Sequence, residues 1–152
     1  MRPFRFRLAR LLRLKLAEKR QRAIALGRAQ HDLDSCEAAL AAAQQQRDGI
    51  VTAYARLADA PSRPADWTIA QNALIASQRR INERRTTVQQ AEAKVEEARL
   101  LLVEQAREVE VYQRLRRKEW EEYSRDVQRA EQKEIDALAG DRFAQRSADH
   151  AA

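Results

Sequence analysis

The sequence predicts an all-α fold, an antiparallel two-helix coiled-coil hairpin in which the second helix is longer than the first. Only 3 Gly and 3 Pro occur in 152 residues, of which 34% are charged, so the turn chemistry of a compact globule is missing. Apolar residues recur at heptad spacing on both sides of one proline-containing segment. We therefore expect residues 1–152 to form a single hairpin with a thin, linear core.

The first predicted helix covers about residues 4–59. Its apolar seam alternates in steps of three and four, and is interrupted once by an arginine. The seam positions are Leu26, Ala29, Leu33, Cys36, Leu40, Ala43, Arg47, Ile50, Tyr54 and Leu57. Gly27 and Gly49 lie within the helix, where each costs about 1 kcal/mol relative to Ala, and a helix of this length tolerates them.

A turn is predicted at about residues 60–65, within the segment 59–66, the one cluster that combines two prolines with Ser and Asp. Pro61 and Pro64 each push the preceding residue out of the helical region. Asp66 is placed to cap the next helix by accepting backbone N–H groups. The chain should reverse direction here.

The second predicted helix covers about residues 66–139, and a mobile tail is expected at 141–152. Steps of seven give its seam as Trp67, Leu74, Ile81, Val88, Val95, Leu102, Val109, Arg116, Tyr123, Ala130 and Ala137. In this register the first helix extends only to a point opposite about Arg116. The rest of the second helix is therefore expected to have no partner from its own chain. That part carries Trp120, Tyr123, Val127, Ile135 and Leu138, which should seek another surface.

No enzyme activity, cofactor or metal site is expected. A two-helix hairpin has no interior in which to shift a pKa or exclude water. His31 and His150 are isolated, and Cys36 has no second cysteine for a disulfide, which indicates a reducing compartment. No apolar run approaches the roughly 20 residues that a membrane span needs. The sequence therefore predicts a soluble protein–protein stalk.

The N-terminal segment, residues 1–22, is strongly basic, with nine Lys or Arg residues and the single acid Glu18. Such a segment attracts an acidic partner surface or a phosphate backbone, and a transit peptide or membrane-surface helix would also be basic. The turn folds the seam onto itself, and acids are mixed with bases along the second helix, which disfavours a DNA-binding zipper. We expect no nucleic acid, while a basic coiled-coil protein that binds nucleic acid or a membrane surface is the alternative.

Apolar side chains also gather beside the turn, and we call them the tip residues: Tyr54, Leu57, Trp67, Ile69, Leu74 and Ile75. A seam uses only one stripe of each helix, so Ile69 and Ile75 cannot both point inward. The tip is therefore a candidate docking site.

Both ends of the chain carry distinctive motifs. The start combines Phe4-Arg5-Phe6 with Leu11-Leu12-Arg13-Leu14-Lys15 and Glu18-Lys19-Arg20-Gln21, and the end has Ala130-Glu131-Gln132-Lys133-Glu134-Ile135-Asp136, then Leu138 and Arg142-Phe143. These motifs resemble those of the flagellar export protein FliJ family. The intervening hairpin, with Trp67 just past the turn, fits that family in length and register.

The resemblance implies a stalk of the flagellar type III export apparatus at the cytoplasmic face of the inner membrane. It would link and regulate the hexameric export ATPase and the cytoplasmic domain of the FlhA-like export gate, and would also handle export chaperones. Membrane association would run only through these partners. Injectisome stalk proteins share the architecture and are the nearest alternative, although the Phe-Arg-Phe start favours the flagellar branch.

By analogy with the shaft of rotary ATPases, the resemblance implies that the end with both termini faces the ATPase and that the tip residues face the gate. The ATPase-facing residues would be Phe4, Arg5, Phe6, Arg7, Leu8, Arg10, Leu12, Lys133, Asp136 and Phe143.

Overall fold

The computed structural model describes residues 3–59 and 61–151, with side chains as far as residue 140. Two helices make up the fold: α1, Ala9–Arg56, has 48 residues, and α2, Pro64–Ala151, has 88. No strand occurs among the described residues. Over the same ranges, neither helix contains a stretch with the length and hydropathy that a bilayer crossing requires.

Contacts divide the chain into two units, which we describe separately. The terminal unit comprises Met1–Glu18 and Ala106–Ala152, and the turn unit comprises Lys19–Gln105. In each unit a part of α1 lies against a part of α2 that runs in the opposite direction. The predicted fold class, an antiparallel two-helix hairpin with a longer second helix, is confirmed.

The turn unit contains the seam that the heptad pattern predicts. Every predicted seam position of α1, from Leu26 to Leu57, is half-buried or buried. Ala43 on α1 is buried, as are Ser77, Ile81, Val88 and Ala91 on α2. The small residues let the backbones approach closely, and Ser77 satisfies its hydroxyl by donating to the Leu74 carbonyl at 2.8 Å.

The link between the helices lies at residues 57–63, slightly before the predicted turn. The backbone N–H groups of residues 57–59 donate to carbonyls three residues earlier, which tightens the end of α1. Pro64 is the first residue of α2. A backbone N–H at this position would have no acceptor within the helix, so its absence in proline does not destabilise the helix. Asp66 accepts the Arg63 backbone N–H at 3.0 Å, so this carboxylate caps from inside the first turn of α2.

In the terminal unit, α1 begins at Ala9 rather than at about residue 4. Residues 3–8, which we call the N-terminal arm, precede the helix. Phe4 and Phe6 alternate with arginines, and in extended chain residues two apart share a side. Accordingly, Phe6 is buried and Phe4 half-buried, while Arg5 and Arg7 are exposed. The alternation is typical of extended chain. On a helix the same spacing would place the two rings on nearly opposite sides.

At the other end, α2 continues to Ala151 instead of ending at about residue 139. Gly140 is the reason for the predicted end, because glycine often takes a left-handed conformation that stops a helix. No glycine among the described residues has a positive φ, so Gly140 stays helical. The side chains of residues 141–152 lie outside the described part, and the mobility of this tail stays a prediction.

Candidate functional site

The N-terminal arm is fixed to α2 by a small apolar core in the terminal unit. Phe6, Leu12 and Val109 are its buried members, and Val109 is only 2% exposed. Partly buried side chains pack around them, namely Phe4, Leu8, Ala9, Leu16 and Tyr112. Since Val109 is a predicted seam position of α2, the arm occupies the seam where a regular first helix was expected.

Three aromatic rings extend this core along α2. Phe4 stands edge-on to Trp120, with ring centroids 5.1 Å apart and planes at 83°. It also leans on Tyr123 at 5.5 Å. Edge-to-face pairs add about 0.5–1.5 kcal/mol to the burial of the rings. Trp120 nevertheless stays 51% exposed, so about half of this residue is open to a partner.

These contacts correct the expectation that α2 lacks a partner beyond about Arg116. Trp120 and Tyr123 are both covered in part by Phe4 of the same chain. An extended segment advances about 3.3 Å per residue and a helix only 1.5 Å. Residues 3–6 of the arm are not helical and therefore reach further along α2 than a helical N-terminus would.

A groove of about 520 Å³ lies beside Trp120, and we call it the arm groove. It is lined by Phe4, Gln113, Arg116, Arg117 and Trp120. Arg116 and Arg117 are exposed and form no ion pair with any described residue. The arm groove thus combines a half-exposed indole with two available guanidinium groups, and this combination suits a ligand that is both acidic and apolar.

An ion pair holds α1 to α2 next to the core. Lys15 Nζ lies 2.9 Å from Glu108 Oε2 and 3.0 Å from Glu18 Oε2. The hydrogen bond to Glu108, followed by the one to Glu18, raises the pKa of Lys15 above its usual range. The ammonium therefore stays charged at physiological pH, and the pair supports the docked arm.

The residues predicted to face the ATPase fall into two groups. Phe4, Phe6, Leu8 and Leu12 lie together in the apolar core and its margin. The arginines at positions 5, 7 and 10 are exposed beside them. This group forms one basic surface within the terminal unit, in which the arginines are exposed and the apolar side chains beneath them are buried or half-buried.

The second group does not join this surface. Lys133 and Asp136 are exposed, and Asp136 accepts a hydrogen bond from Gln132 Nε2 at 2.8 Å on the same helix. Lys133 lies roughly 15 Å further along α2 than Tyr123, as the 1.5 Å rise per residue requires. The Phe143 side chain lies outside the described part.

The tip residues divide as the seam argument requires. Tyr54 packs edge-on against Trp67, with centroids 5.2 Å apart, and Leu57 and Leu74 are half-buried. Ile69 and Ile75 are 68% and 47% exposed. The turn unit therefore presents two aliphatic side chains to solvent near its packed aromatic pair.

Sequence reasoning missed the lining of the arm groove. Arg116 was recognised only as a seam position at the level where the first helix ends, and Gln113 and Arg117 received no role. The available signal was two adjacent arginines placed before Trp120 at the level where the first helix runs out. Elsewhere among the described side chains, no group of three His, Cys, Asp or Glu residues has the arrangement of a metal site.

Comparison with known proteins gives one match. No curated protein and no solved structure is found to match the chain. The family model described as "Flagellar FliJ protein" matches residues 4–148. This match spans nearly all of the chain, including the arm, the turn and the arm groove. The chain therefore belongs to the flagellar FliJ protein family, which confirms the resemblance of its two end motifs.

Proposed function

We propose that this chain is a stalk of the flagellar type III export apparatus that links and regulates the export ATPase hexamer and the cytoplasmic domain of the export gate. Family membership gives the chain a role in flagellar export, in a family of structural proteins rather than enzymes. The two partners, the handling of export chaperones and a location at the cytoplasmic face of the inner membrane belong to the proposal.

The observation that carries the proposal is the docked N-terminal arm. Its apolar side chains are used to pack on Val109, so its exposed arginines are displayed on a fixed base. Arg5, Arg7 and Arg10 form no ion pair with the described residues. Fixed, unpaired cations steer and bind an acidic surface better than cations on a flexible tail. This surface is assigned to the ATPase.

The gate is assigned to the tip residues of the turn unit. Ile69 and Ile75 are exposed, whereas their neighbours Trp67 and Leu74 are half-buried in the seam. Exposed aliphatic side chains beside a rigid aromatic pair give a partner apolar surface to cover without reordering the protein. Each unit thus offers one surface of its own chemistry.

Regulation follows from binding free energy alone. A stalk that contacts one conformation of the ATPase ring more favourably than another shifts the population toward that conformation. No step of nucleotide chemistry is then needed from this chain. The side chains that contact the ring supply the difference in free energy.

The experiment that tests this function is co-purification of the chain with the flagellar ATPase and, separately, with the cytoplasmic domain of the export gate. Size-exclusion chromatography with light scattering gives the mass of each complex. We expect a complex with each partner. If the chain binds neither partner and its basic arm instead retains nucleic acid or lipid, the proposal is overturned. The alternative, a basic coiled-coil protein that binds nucleic acid or a membrane surface, would then be favoured.

A further inference from the structure

We propose that the arm groove binds an acidic polypeptide segment, with a large apolar side chain of that segment seated on Trp120 and its carboxylates on Arg116 and Arg117. The inference deepens the proposed function by naming the chemistry of a partner at the terminal unit. The inference rests on the proposed function only in one respect: the function says that the segment belongs to a partner in the export apparatus.

The apolar half of the recognition comes from Trp120. Its ring contacts Phe4, with centroids 5.1 Å apart, and Tyr123, with centroids 5.8 Å apart. The ring is therefore oriented before any ligand arrives, which lowers the entropy cost of binding. About half of its surface is still open, and its indole N–H has no hydrogen-bond partner among the described residues.

The charged half comes from Arg116 and Arg117. Other arginines nearby on α2 are engaged within the helix: Arg114 pairs with Glu110 at 2.6 Å, and Arg129 with Asp126 at 3.7 Å. Arg116 and Arg117 have no such carboxylate among the described side chains, and both line the groove. A guanidinium presents paired N–H donors that match a carboxylate, so these two side chains are suited to bind acids supplied by a partner.

The neighbouring charges favour a polypeptide over a nucleic acid. Glu119, Glu121 and Glu122 follow directly on α2. A phosphate backbone carries a charge at every nucleotide and would be repelled by these carboxylates. A polypeptide can place one or two carboxylates at the arginines and leave uncharged residues beside the glutamates. The aromatic ring alone would accept a nucleobase as well, so charge decides between the two.

Trp120 itself provides the measurement. The chain has 2 Trp, and Trp67→Phe leaves Trp120 as the only indole. Phenylalanine at position 67 preserves an aromatic ring against Tyr54, and far-UV circular dichroism checks that the variant stays folded. The probe is a synthetic peptide of Asp, Glu and Leu without Trp or Tyr. We expect a saturable change in Trp120 emission, and weaker binding when Ser replaces Leu in the peptide.

Matched charge variants test the arginines. Arg116→Gln with Arg117→Gln should weaken peptide binding by roughly tenfold or more, which corresponds to about 1.4 kcal/mol. Arg114→Gln removes a charge from the same helix but one already paired with Glu110, so binding should stay nearly unchanged. Equal effects of the two changes would show a general charge attraction and overturn the proposal.

A single-stranded oligonucleotide of equal charge is the competing ligand. Tighter binding of the oligonucleotide than of the peptide would overturn the inference in favour of nucleic acid. The chain with its natural residues at positions 67, 116 and 117 is assayed for co-purification with the ATPase and the gate domain. If both partners bind but the peptide does not, the groove assignment fails and the stalk stands; if the peptide binds and neither partner does, the reverse holds.

Discussion

Lys15 Nζ and Glu108 Oε2, 2.9 Å apart, join α1 to α2 at the margin of the core that holds the N-terminal arm. The pKa of Lys15 is raised, so the stabilisation is complete below the usual value of about 10.5 and is lost only as pH rises through the raised pKa. Between about pH 6 and 9 Lys15 should therefore contribute no pH dependence to the free energy of unfolding.

A double-mutant cycle tests this pair. Lys15→Gln and Glu108→Gln should each lower the thermal unfolding midpoint, and the double variant should lose less than the two single losses together, because the interaction is removed only once. Circular dichroism follows the unfolding. The control is the exposed intrahelical pair Glu96 and Arg99, 3.5 Å apart, whose cycle should be nearly additive. Additivity at Lys15 and Glu108 would mean that the contact contributes nothing in solution.

Val109→Ala should lower the free energy of unfolding by about 2 kcal/mol, since it removes two buried methyl groups and leaves a cavity against Phe6 and Leu12. Chemical denaturation measures the change. Val111→Ala is the matched control, because that side chain is 64% exposed and its loss should cost less than about 0.5 kcal/mol. Equal losses at both positions would contradict the packing of the arm on α2.

Gly27→Ala and Gly49→Ala should each raise the stability of the chain by about 0.5–1 kcal/mol. A Cβ at either position meets nothing within 4 Å, so the substitution restricts the unfolded chain and adds no clash. Thermal unfolding of the single and double variants measures the gain. A loss of stability in either single variant would contradict the open space around that glycine.

Ile69→Asp combined with Ile75→Asp should abolish binding of the gate domain and leave helicity intact, since both side chains are exposed. Size exclusion with light scattering reports the complex, and circular dichroism reports helicity. Leu100→Asp with Val103→Asp introduces the same charges at two other exposed positions of the turn unit. Unchanged affinity of the Ile69 and Ile75 variant would remove the assignment of the tip residues to the gate.

Neutralising Arg5, Arg7 and Arg10 with Gln should weaken the ATPase complex and reduce its dependence on salt, because fewer screened charge pairs form. Affinity is measured over a range of salt concentrations. Exchange of the exposed Arg79, Arg84 and Arg85 removes the same net charge from the turn unit and should have little effect. Loss of folding in the variant at Arg5, Arg7 and Arg10 would give these arginines a structural role instead.

The heptad pattern was enough to predict the seam, because burial on a two-helix surface follows from a single periodicity. Arg47 supports this relation between period and burial, because it breaks the apolar pattern and is still half-buried at its predicted seam position. Positions such as Ile69 were likewise predictable, since the same period that turns Trp67 inward turns Ile69 outward.

The terminal unit was less predictable for physical reasons. Phe4 and Phe6 are residue types that a helix can contain. Only their alternation with arginine indicates an extended arm. The Lys15–Glu108 pair depends on the register between two helices far apart in sequence, which a spacing rule does not fix. The arm groove exists only because the arm docks, so the lining of this groove could not be assigned before the arm was placed.

The docked arm also has a consequence for the order of folding. Phe6 and Val109 are separated by roughly 100 residues of chain, whereas Tyr54 and Trp67 are near neighbours in sequence, so closing the first contact costs more loop entropy. During synthesis the arm leaves the ribosome well before its docking surface on α2. Until then its two phenylalanines lack their native cover, and a chaperone that shields nascent apolar segments would find them there.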